Sequence, residues 1–99
     1  MTDVLSTDEL ATAMASLTGW SGTTTQIERT VTAPDFPTAI RVVSDVADVA
    51  EQANHHPDID IRWRRVRFAL STHDAGGLTT LDIDLAGQID AVAVAHGAE

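Results

Sequence analysis

The sequence predicts an α+β fold, a four-stranded antiparallel sheet with helices packed on one face. Two observations predict it. Apolar residues recur at helical spacing in three stretches and alternate at a period of two in the stretches between them. The links between paired strands are of hairpin length, which implies antiparallel pairing. The predicted order is helix-strand-strand-helix-strand-strand-helix, in one domain spanning residues 1–99.

Each element has its own signal. Ser6-Thr7-Asp8-Glu9 is a capping-box pattern, and Leu5 and Leu10 flank it as a hydrophobic staple. Leu10, Met14 and Leu17 share one helical face, and Gly19 is the expected terminator. Trp20-Ser21-Gly22 and Gln26–Thr32 then read as a strand pair, with Ile27, Arg29 and Val31 on one face. Asp35-Phe36-Pro37 opens a second helix, since proline fits the first turn. Its predicted buried stripe is Phe36, Ile40, Val43, Ala47 and Ala50, and Pro57 ends it near Asn54 or His55. Ile59–Trp63 and Val66–Ser71 read as strands around a tight Arg64-Arg65 turn. A third helix runs from about Thr79 to His96, with Leu81, Leu85, Ile89 and Val92 on one face.

Composition narrows the function. A formal net charge of −9 argues against broad nucleic-acid binding, which needs a basic surface. No apolar run approaches the ~20 residues that span a bilayer, so no membrane association is expected. Met1-Thr2-Asp3-Val4 has neither the positive charge nor the apolar run of a secretory signal, and a cytoplasmic location is expected. The absence of cysteine excludes a disulfide and a thiolate nucleophile. Four of the six basic residues cluster as Arg62, Arg64, Arg65 and Arg67. The reading taken for them is a solvated strand face and turn, and the competing one is an anion or interface patch.

Histidine is the side chain best suited to proton transfer near neutral pH. Three of the four histidines lie in two motifs, Glu51-Gln52-Ala53-Asn54-His55-His56-Pro57 and Ser71-Thr72-His73 with Gly76-Gly77-Leu78-Thr79 and Asp82 beyond. Glu51 and His55 are one helical turn apart, so the carboxylate is placed to orient or tune the imidazole. His73 falls in a loop past the last strand, where functional residues concentrate. Structural readings stand beside these. Histidine is favourable at a helix C-terminus, Glu51 fits a solvated helix face, and Thr79 to Asp82 is itself a capping box. Three histidines and an aspartate also suit zinc or iron, but adjacent histidines lack the same-face spacing of a helical ligand pair.

Together the motifs resemble those of the pterin-4a-carbinolamine dehydratases. The resemblance rests on Glu51, His55-His56-Pro57, Trp63, Ser71-Thr72-His73, Gly77-Leu78-Thr79 and Asp82, with Gly19-Trp20 and Asp82–Ala86 adding to it. It implies the fold predicted above, assembly as a homodimer or homotetramer, and a pterin substrate. It also implies dehydration of a 4a-hydroxytetrahydropterin to the quinonoid dihydropterin, in support of tetrahydropterin recycling, with no metal and no organic cofactor. By the same resemblance His55, His73 and Glu51 form the catalytic set, with Glu51 acting on His55. His56, Ser71, Thr72 and Asp82 form the substrate-binding set, with Asp82 supporting the site near His73. The alternative is a catalytically weak pterin-binding or protein-dimerisation module of the same fold. The chain departs from animal members at Asn54, where they often carry aspartate, and at Asp58-Ile59, where they carry an aromatic.

Overall fold

A computed structural model describes residues 3–99. Met1 and Thr2, the start of the segment read as lacking a secretory signal, lie outside the described residues. The observed order is α1 (Thr7–Met14), β1 (Ser21–Gly22), β2 (Ile27–Thr32), α2 (Phe36–Ala53), β3 (Asp58–Arg62), β4 (Arg65–Leu70) and α3 (Thr80–Ala95). A single 3₁₀ turn, His73–Ala75, lies between β4 and α3. All strands pair antiparallel in the order β1-β2-β4-β3, as the α+β prediction requires.

Side-chain caps start all three helices. Ser6 Oγ accepts from Glu9 N–H, and the Glu9 carboxylate accepts from Ser6 N–H. Asp35 accepts from Thr38 N–H at the start of α2. These bonds favour the ionised acids. The Ser6 backbone bond, followed by the Ser6 hydroxyl, holds Glu9 below its ordinary value. Thr38 does the same for Asp35. α1 ends at Met14 rather than near Gly19, and Leu17 is buried in the turn that follows. Trp20 is buried just before β1, and its indole N–H donates to Asp90 on α3 at 2.9 Å. Arg29 of β2 reaches the same carboxylate oxygen at 2.5 Å.

The core lies between the sheet and the helices. Ile27 and Val31 of β2 and Val66, Phe68 and Leu70 of β4 supply its sheet side. The buried stripe of α2 differs from the predicted one. Ala39, Val42, Val46 and Ala50 face inward, whereas Phe36 is 47% and Ile40 42% exposed. The sequence of α2 carries two adjoining apolar stripes, and docking against the sheet and α3 selects the one with small alanines at its ends. Likewise α3 buries Leu85, Ala86, Ile89 and Ala93, while Leu81 is exposed. His96 at the end of α3 meets Asp45 of α2 at 2.6 Å.

The β3–β4 turn sits one residue earlier than predicted. Trp63 and Arg64 form it, Trp63 adopts φ 57°, and Arg62 and Arg65 are its closing pair. Ser71 lies just beyond β4. β4 is central because it pairs with β2 as well as β3, from Ile27↔Leu70 to Thr32↔Arg65. That long register points the C-terminal end of β4 toward the end of α2 and the start of α3.

Candidate active site

The end of α2 is shaped by Asn54. It takes the left-handed conformation, φ 50° and ψ 41°, and its N–H bonds to carbonyls of the last turn. Asparagine is, after glycine, the residue that best tolerates this conformation. The reversal brings His55 N–H onto the Ala50 carbonyl at 3.1 Å and separates the two imidazoles. The His55 side chain is only 11% exposed, against 57% for His56.

His55 turns inward onto Asp82. Its Nε2 lies 2.6 Å from Asp82 Oδ1. Asp82 is fully buried at the third position of α3. Its other oxygen accepts from the Thr72 hydroxyl at 2.6 Å and from Thr79 N–H at 2.9 Å. The Thr72 and Thr79 hydroxyls are themselves 2.8 Å apart. One carboxylate thus caps α3, anchors the loop after β4 and holds an imidazole by one nitrogen. A hydrogen bond at one ring nitrogen decides what the other can do. Nδ1 of His55 has no protein partner among the described residues and is not sealed from solvent.

The sequence pairing of Glu51 with His55 is corrected. Glu51 Oε1 instead lies 2.6 Å from His56 Nε2, and both groups are exposed. The four-residue argument assumes that the helix continues to His55, and the reversal at Asn54 ends it first. Asp82 reaches both motifs. Its carboxylate holds His55 directly and, through the Thr72 hydroxyl, the loop that carries His73, while full burial keeps it off the cleft surface.

A cleft of about 260 Å³ is lined by Asn54, His55, His56, Ser71, Thr72, His73 and Asp74. The two histidine motifs therefore meet, as the end of α2 and the loop after β4. Five of the seven predicted site residues line the cleft, while Glu51 and Asp82 stand behind it as partners of His56 and His55. The Ser71 hydroxyl donates to the Thr25 carbonyl at 2.7 Å, so its proton is committed and its lone pairs stay available. Asp74 was not singled out from sequence, although its place beside His73 in a glycine-flanked loop was the available signal. Among the described residues, no three His, Asp or Glu side chains converge as metal ligands. The cleft offers imidazoles, hydroxyls and a carboxylate, a set suited to proton transfer and to hydrogen-bonding a polar heterocycle.

Comparison with known proteins identifies the family of the chain. The family model described as Pterin 4 alpha carbinolamine dehydratase matches residues 3–92. A relative from Nocardia farcinica, provisionally named a pterin-4-alpha-carbinolamine dehydratase, is 58% identical over 92 residues, covering 93% of this chain and 97% of its own. One of the same name from Roseiflexus castenholzii is 52% identical over 93% of this chain and 99% of its own. A crystal structure of a transcriptional coactivator/pterin dehydratase from Brucella melitensis superposes with a TM-score of 0.88 at 33% identity, covering 92% of this chain and 99% of that one. A pterin dehydratase-like RuBisCO assembly factor of the alpha-carboxysome has a TM-score of 0.62 at 17% identity, over 75% of this chain and 86% of its own, and shares the fold alone. The match runs through the histidine pair, the loop after β4 and most of α3, and the chain belongs to the pterin-4-alpha-carbinolamine dehydratase family, a family of hydro-lyases.

Proposed function

We propose that the chain dehydrates a 4a-hydroxytetrahydropterin to the quinonoid dihydropterin by histidine acid/base catalysis, in support of tetrahydropterin recycling. The observation that carries the reading is the buried Asp82 carboxylate holding His55 in a cleft shared with His73. The reaction breaks the C4a–O bond and forms a C4a–N5 double bond. An acid protonates the departing hydroxyl, which leaves as water. A base accepts the N5 proton. His55 and His73 are the acid/base pair, because they come from different elements and face one cleft. Asp82 positions His55 and leaves its Nδ1 for the substrate. His56, steadied by Glu51, positions the pterin, with Ser71 and Thr72 offering hydrogen bonds to its ring edge.

The test generates the 4a-carbinolamine in situ and follows its dehydration by ultraviolet absorbance, with and without a chelator. His55→Ala and His73→Ala should each lower the enzymatic rate by roughly 10²-fold or more. Rates near that of the parent in both variants would defeat the assignment. Chelator sensitivity would return the histidines to a metal-binding role. The Brucella melitensis neighbour's description as a coactivator motivates a second reading, a protein-dimerisation module. No acceleration at catalytic concentrations of the parent protein would favour it.

A homodimer or homotetramer belongs to the same proposal. β3 is an edge strand with exposed Ile59 and Ile61, and Phe36 and Ile40 are exposed on α2. Exposed large apolar side chains of this number in a chain of 99 residues favour burial by association. Sedimentation equilibrium at micromolar concentration is the check, and a monomer would overturn it.

A further inference from the structure

The sheet face turned away from the helices concentrates positive charge in an acidic chain. Arg62, Arg65 and Arg67 line a concavity of about 340 Å³ together with Thr30 and Asp60. The backbone register forces this grouping. Arg62 and Arg65 are direct cross-strand partners, and Arg67 lies opposite Thr30 on one side and Asp60 on the other. Like charges directly opposite one another in a sheet are destabilising. Three guanidiniums here face one carboxylate within the lining.

The local neutralisation is weak. Arg62 Nε meets Asp60 at 3.3 Å with both groups largely exposed. Arg67 pairs with Glu28 at the sheet surface. Arg65 has no ion pair among the described residues. Arg64 is occupied elsewhere, stacked on Trp63 at 5.1 Å and donating to the Ala33 carbonyl. Exposed ion pairs contribute little, so a doubly charged anion can take over guanidiniums that hold them. The guanidinium fork matches phosphate oxygens in pairs.

We propose that Arg62, Arg65 and Arg67, with the Thr30 hydroxyl, form a binding site for a compact phosphate-bearing anion on the open face of the sheet. The site is separate from the histidine cleft. Arg67 and Ser71 are four residues apart along β4 and its extension, roughly 13 Å at strand rise. Glu28, Asp58 and Asp60 interrupt the positive surface on the same face, so no continuous track exists for a nucleic-acid strand.

The test is a titration of the full chain with inorganic phosphate, phenyl phosphate and pyrophosphate at constant ionic strength, followed by amide ¹H–¹⁵N shifts against a chloride control. Saturable shifts confined to the amides of Thr30 and residues 60–67 are expected. Comparison of phosphate with phenyl phosphate separates free phosphate from a phosphate ester as the natural source. Arg65→Gln should weaken binding by about fivefold or more. Asp60→Asn should tighten it by about threefold, a gain that misfolding cannot produce. Both variants should keep the parent's dehydration rate. Non-saturating shifts that match the chloride control would overturn the proposal, as would indifference to both substitutions. Tenfold tighter binding of a short oligonucleotide than of pyrophosphate would overturn the compact-anion assignment.

Discussion

Replacing Asp82 with asparagine changes charge and hydrogen-bonding capacity while conserving shape. Asp82 accepts three hydrogen bonds, from His55, Thr72 and Thr79. Two of the donors converge on Oδ2, and one of them, Thr79 N–H, is backbone held in a helix cap. In Asp82→Asn the amide oxygen must therefore stay on that side, and the NH₂ group then faces His55 Nε2. Two N–H groups cannot bond each other, so the neutral imidazole must move its proton to Nδ1. The nitrogen proposed to face substrate then changes from acceptor to donor. In the acid role the same change removes the negative partner of the imidazolium. Exchanging charge-assisted bonds for neutral ones at a fully buried group should cost about 2 kcal/mol of stability. Loss of the correct tautomer should lower dehydration by roughly 10²-fold. Urea denaturation reads the first quantity and the carbinolamine assay the second. Long-range ¹H–¹⁵N correlation of the imidazole reads the tautomer directly. A variant that is destabilised yet keeps the parent's tautomer and rate would refute the positioning role and leave Asp82 as a helix cap alone.

Two further predictions follow from local geometry. Glu9 and Asp35 have folded-state values below their ordinary 4.5 and 3.8. Their contribution to stability is therefore present above those ordinary values and is lost as pH falls through the lowered ones. The melting-temperature gap between the parent and Glu9→Gln should shrink as pH drops from 7 to about 3, and a gap independent of pH would contradict the cap. Asn54→Gly should keep His55 in place because glycine accepts the left-handed conformation. Asn54→Val should lose about 1–2 kcal/mol and weaken catalysis, and equal activity in the two variants would show that this reversal does not position the site.

What could be read directly was local. The Ser6/Glu9 and Thr79/Asp82 capping boxes span four residues each, and they form as their patterns predict. The alternation of Val66, Phe68 and Leu70 identified the buried face of β4. The glycine loop and proline-terminated helix placed both histidine motifs at element ends, where a cleft forms. The periodicity of α2 established a helix but misplaced its buried stripe, since its apolar residues cover more than one face. The spacing of Glu51 and His55 misled because it presumed a helix that Asn54 stops.

The sequence by itself therefore determined the element order, the helix starts and the residue types of the candidate site. Only the tertiary structure decided that β2 and β4 pair at the centre of the sheet, with β3 left at its edge. It alone joined His55 to Asp82, 27 residues apart, and His56 to Glu51. The physical reason is range. A cap or an alternating strand is written in neighbours that share a few backbone dihedrals. The partner of a buried imidazole depends on where a helix end, a strand end and a helix start meet, and packing of the whole core sets that meeting.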